Sequence, residues 1–104
     1  MPIYPKLTIT IDLTDRQPIL DHYQPEEDQA DQTCAEYLDH YKRRLELNLG
    51  EYCPLVQSQG NTISGLFSAN TAQEQVEEVQ SRVDALKIPG ITISTELGQL
   101  DHDR

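Results

Sequence analysis

Tryptophan is missing from this sequence, phenylalanine and methionine occur once each, and only two cysteines are present. Two thiols are too few for a disulfide scaffold, and Cys34 and Cys53 have neither metal-ligand nor redox spacing. Basic residues are scarce as well: 8 Lys and Arg stand against 18 Asp and Glu in 104 residues, a formal net charge of −10. Phosphate binding needs a basic stripe, so direct nucleic-acid binding is excluded. No run approaches the roughly 18 apolar residues of a membrane span, and no membrane partner is expected. The opening residues Met1-Pro2-Ile3-Tyr4-Pro5-Lys6 hold no basic stretch followed by an apolar block, so no secretory leader is expected. Reduced thiols and a cytoplasmic location are the matching expectations.

What the chain does have is alternation that switches between period two and period 3.6. Its length suits one domain, since domains cluster at roughly 100–150 residues. Leu7, Ile9, Ile11 and Leu13 alternate with Thr8, Thr10, Asp12 and Thr14, the pattern of a half-buried strand. Residues 15–24, with Pro18 and an Ile19-Leu20 pair, read as a connection. Pro25 then opens a helix running to about Asn48, with Gly50 as a stop. Its apolar stripe is Ala30, Cys34, Leu38, Tyr41, Leu45 and Leu49, at steps of three or four. Residues 51–58 and 61–69 flank Gln59-Gly60 as a hairpin, and Pro54 puts the first of these strands on a sheet edge. Thr71 and Glu74 match a capping box ahead of a second helix with Ala72, Val76, Val79, Val83 and Leu86 on one stripe. Ile91, Ile93, Thr95 and Leu97 form a last strand, closed by Gly98, with 98–104 as a flexible acidic tail.

The expected fold class is therefore α+β, one domain over residues 1–104. Its β-α-β-β-α-β order predicts a ferredoxin-like sandwich: a four-stranded antiparallel sheet with two helices on one face. The sheet's other face would carry Thr8, Thr10, Asp12, Thr62, Ser64, Leu66, Ser68, Thr92, Ser94 and Glu96. RNA-recognition sheets need stacking aromatics there, and this face has none.

Charge is unevenly placed. Residues 12–39 hold nine acids and one base, Arg16, whereas residues 52–73 hold no charge. The first segment suits a basic protein partner, approached by electrostatic steering, through Asp21, Glu26, Glu27, Asp28 and Asp31. The second suits a homo-oligomer contact through the 52–68 hairpin, at Tyr52, Pro54, Val56 and Leu66, because an uncharged edge is poorly protected.

Catalytic and metal chemistry find little footing. His22, His40 and His102 include no helical i,i+4 pair, and there is no His-x-His or Cys-x-x-Cys. No metal and no cofactor is expected. Cys34 belongs to the core stripe and is expected to be inert. Helix and strand rises leave Cys34 and Cys53 about 9 Å apart, beyond the roughly 7 Å a disulfide spans. The turn Thr14-Asp15-Arg16-Gln17 lacks the Cys-x-x-Cys of a metallochaperone and the Gly-rich basic loop of an acylphosphatase. The expected function is a small acidic non-enzymatic interaction or regulatory module, such as an inhibitor offering its acidic face to a basic, nucleic-acid-binding partner. The alternative is a small-ligand-binding or catalytic homodimer of the same topology.

Overall fold

The computed structural model describes residues 3–101. Strand β1 covers Ile3–Leu13, helix α1 Gln17–Tyr23 and helix α2 Ala30–Gly50, the last preceded by a 3₁₀ turn at Glu27–Gln29. Strands β2 (Leu55–Gln59) and β3 (Thr62–Leu66) form the hairpin. Helix α3 (Gln73–Asp84) and strand β4 (Ile91–Asp101) complete the described residues. The four strands make one open antiparallel sheet in the order β2-β3-β1-β4.

The alternation in β1 does what its periodicity dictates. Leu7, Ile9 and Ile11 are fully buried and pack with Ile63 and Phe67, with Leu45 and Leu49 of α2, and with Val76, Val79 and Val83 of α3. Because α2 and α3 feed one cluster, both helices cover the same sheet face. The opposite side chains meet across the strands: Thr8 faces Ser64 and Glu96, Thr10 faces Thr62 and Ser94, and Asp12 faces Thr92.

Several local expectations need correction. Residues 17–23 form a third helix, not a plain connection. Pro18 sits at its start, where the missing N–H costs nothing, and the Gln17 N–H donates to Asp15 Oδ1 at 3.0 Å. Gln24 adopts a left-handed conformation (φ 48°) and ends it, its N–H donating to the Leu20 carbonyl. The extended Glu26 (ψ 153°) is followed by the 3₁₀ turn, so α2 begins only at Ala30, and it runs through Gly50 without a left-handed stop. The capping box does not form: Thr71 Oγ1 donates to the Ser68 carbonyl at 2.6 Å, and the extended Ala72, with no side-chain cap, precedes α3. α3 ends at Asp84, which leaves Leu86 exposed. Pro54 precedes β2 instead of lying in it.

The expected tail from residue 98 is also revised. β4 continues through Gly98 to Asp101, paired with Lys6 through Ile3 in the register of the rest of the ladder. A long β1 offers backbone partners as far as Ile3, and these outweigh the strand-breaking tendency of one glycine. Residues 102–104, including His102, lie outside the described residues. Gly65 has a packing reason to lack a side chain: a Cβ there would come within 2.7 Å of Cys53 Sγ and 3.3 Å of Leu49 Cδ1.

Candidate functional site

Most of the acidic segment folds into α1, the 3₁₀ turn and the first turns of α2, with α1 and the 3₁₀ turn both in contact with α2. Asp21, Glu26, Glu27, Asp28 and Asp31 are all exposed. Asp31 is held by Arg16, whose guanidinium donates to it at 2.6 Å and to Cys34 Sγ at 3.4 Å. Those two hydrogen bonds, the sulfur's first, raise the pKa of Arg16 and fix the start of α1 against α2. Asp21 accepts from Gln17 Nε2 at 2.7 Å. Glu26, Glu27 and Asp28 have no side-chain partner among the described residues.

An aromatic ladder runs through these elements. His22 and Tyr23 of α1 meet edge to face at 4.6 Å between ring centres. Tyr23 meets Tyr37 of α2 at 6.1 Å, Tyr37 meets Tyr41 at 5.0 Å, and His40 meets Tyr41 at 5.1 Å. Tyr37 donates its hydroxyl to the Pro89 carbonyl at 3.0 Å, and partial burial beside Tyr41 and Tyr23 pushes its phenol above the usual range. Tyr23, at the outer end, is 54% exposed. Arg16 and Tyr23 were not among the residues expected at the site. Arg16 stands out in the sequence as the one base in an acidic run, though nothing there assigns it a partner, whereas the ladder joins positions too far apart in sequence to show a spacing.

The four expected oligomer contacts do not share a surface. Val56 and Tyr52 pack against the core on the helix side, and Tyr52 accepts a 2.7 Å hydrogen bond from Arg82 at its hydroxyl. Leu66 lies on the opposite face, opposite Lys6 and Leu55, and Pro54 is exposed ahead of β2. Between α2 and α3 runs a groove of about 270 Å³ floored by Leu45, Leu49, Val79 and Val83, with Tyr52 and Arg82 on its rim. It contains no nucleophile–base pair.

Both cysteines are free and buried. Burial pushes the Cys53 thiol up to about 11 from an ordinary 9.0. A raised thiol pKa means that the unfolded chain ionises first, so the native state is favoured below pH 9 and loses that advantage as pH rises toward 11. Urea unfolding between pH 8 and pH 11 should show this fall, and Cys53→Ala should flatten it. Equal slopes in the two proteins would contradict the assignment.

Among the described residues, no group of three or more His, Cys, Asp or Glu side chains could hold a metal ion, and no helix is long and apolar enough to cross a membrane. Comparison of the chain with protein-family models, with curated proteins and with solved structures gives no match in any of the three.

Proposed function

We propose that this chain is a non-enzymatic protein-interaction or regulatory module that presents its α1–α2 end to a basic partner, in the manner of an inhibitor occupying a nucleic-acid-binding groove. The observation that carries this reading is the aromatic ladder lying among carboxylates. Arginine side chains pair with carboxylates and also lie over tyrosine rings, so the exposed Tyr23 and the exposed Glu26, Glu27 and Asp28 that follow it closely in the chain offer both kinds of contact to a cationic partner. Tyrosine is also enriched among strong interface positions. Steering by an excess of carboxylates accelerates encounter with a positive partner.

The same reading places the βαββαβ core in the ferredoxin-like class, with α1 as an addition to the first crossover. Two inner strands, β1 and β3, and helices α2 and α3 on one face support that assignment.

The test is kinetic. A partner captured from the native host is mixed in stopped flow with wild type and with the triple variant Glu26→Lys, Glu27→Lys, Asp28→Lys, which leaves the Arg16–Asp31 pair intact. The association rate constant at low ionic strength should fall at least about tenfold, and the difference should shrink as salt is added. Tyr23→Ala should mainly speed dissociation. An association rate that ignores the three reversals would remove the acidic end from the function.

A further inference from the structure

The two edges of the sheet are protected very differently. β2 is five residues long and is preceded by Pro54, so it offers little to an incoming strand. β4 is eleven residues long and pairs with β1 in one unbroken register, from Ile91 opposite Leu13 to Asp101 opposite Ile3. It contains no proline, no lysine and no bulge, and within Ile91–Gln99 its single charge is Glu96. Among the described residues its only strand neighbour is β1. Past Ile91, no loop or helix backbone among the described residues bonds to its outer side. The apolar cover is also incomplete there. Leu7, Ile9 and Ile11 on the same face are fully buried, whereas Ile91, Ile93 and Leu97 at the edge are only partly so.

We infer that β4 pairs antiparallel with β4 of a second copy, about a two-fold axis at Thr95, giving a continuous eight-stranded sheet with the helices of both copies on one side. The register follows from charge and polarity. An axis at Glu96, the midpoint of β4, would set that carboxylate against itself. On the helix side an axis at Thr95 sets Leu97 opposite Ile93 and Gln99 opposite Ile91, with Thr95, whose hydroxyl accepts from Gln80 and donates to Asp84, opposite its own copy. On the open face it sets Glu96 opposite Ser94 and Gly98 opposite Thr92.

The long-range charges agree with that choice. Lys6 neighbours Gly98 and Asp12 neighbours Thr92 within one copy. Across the axis, Lys6 therefore shares a row with Asp12 of the second copy, twice by symmetry. The backbones on that row are about 14 Å apart at ordinary strand spacing, with Gly98 of one copy and Thr92 of the other between them. A lysine's reach brings the two charges to about a Debye length. The occupant is a second copy because the strand is complementary to itself in this register. The inference is independent of the acidic end, which lies on the helices.

Sedimentation velocity on the full chain between 1 μM and 1 mM tests it, with circular dichroism to check folding. Wild type should dimerise reversibly. Ser94→Glu sets a carboxylate opposite Glu96 twice and should raise the dimer Kd about tenfold, and Ser94→Glu combined with Glu96→Lys should restore it. Ser94→Lys should tighten the dimer, which keeps the test valid if Ser94→Glu does not fold. Gln57→Glu adds the same charge on β2 and should leave the Kd unchanged. A chain that stays monomeric at 1 mM overturns the inference. So does a dimer indifferent to residue 94, or one weakened as much by Gln57→Glu, which would place the contact on the hairpin or in net charge alone.

Discussion

Gly90→Ala should lower the stability of the protein by about 3 kcal/mol or more, from two separate sources. Gly90 has φ +82°, a conformation that costs an L side chain roughly 1–2 kcal/mol. A Cβ at that position would also overlap the carbonyl oxygen of Asp15, which is backbone and cannot swing aside. Forcing atoms into filled space costs a further ~1–3 kcal/mol. The junction is a tight one: the Gly90 carbonyl accepts from the N–H groups of Thr14 at 2.9 Å and Asp15 at 3.1 Å. It ties the end of β1 to the start of β4 and sets the chain up for α1, whose Ile19 lies beside the same point. Gly60→Ala is the natural control, since Gly60 has φ +59° but open space around it, and it should bear only the conformational cost. Urea unfolding of both variants separates the two contributions. If Gly90→Ala is no worse than Gly60→Ala, the close approach to Asp15 is not what requires glycine.

Phe67→Ala should cost about 3–5 kcal/mol, the range found when a buried aromatic side chain is deleted and leaves a cavity. Phe67 is the sole phenylalanine and heads the fully buried side chains by volume. It sits one residue beyond β3, where its N–H donates to the Pro5 carbonyl at 2.9 Å. The backbone is thus pinned on β1 and cannot readily shift to fill the space. Against a usual total of about 5–15 kcal/mol, such a loss should lower the melting temperature by well over 10 °C. Leu47→Ala, at a position 74% exposed, should change stability by no more than about 0.5 kcal/mol. Comparable losses at the two positions would mean that the core is not centred on Phe67.

Both predictions fall where the sequence is instructive in different ways. The burial of Leu7, Ile9 and Ile11, of Leu45 and Leu49, and of Val76, Val79 and Val83 was legible, because period two and period 3.6 are local properties of strand and helix. The hairpin at Gly60 and the free state of both cysteines were legible for similar reasons of spacing. α1 was not. Seven residues give two turns, too few for a stripe, and Pro18 reads as a breaker unless it is known to stand at a helix start. Nor was the length of β4, since Gly98 and Pro5 each look like punctuation until their strands lie side by side.

For the site, the acidic residues could be named from their order along the chain. The union of Arg16 with Asp31 and Cys34, and the ladder from His22 to His40, could not. The hairpin positions likewise read as one neutral surface in sequence, and strand alternation then divided Val56 from Leu66.

The sequence by itself determined the class of fold, the composition of the core and the contrast between an acidic segment and an uncharged hairpin. Each depends on which residue follows which, and side-chain direction repeats with a fixed local period. The tertiary structure decided where helices and strands stop, which carboxylates are paired, which rings touch and which sheet edge is left open. Those outcomes turn on backbone and side-chain groups choosing among distant partners, as Thr71 takes Ser68 in place of a helix cap and Gln99 pairs with Pro5 beyond a glycine. The free energy of such a choice depends on the competing contact, and no local pattern records it.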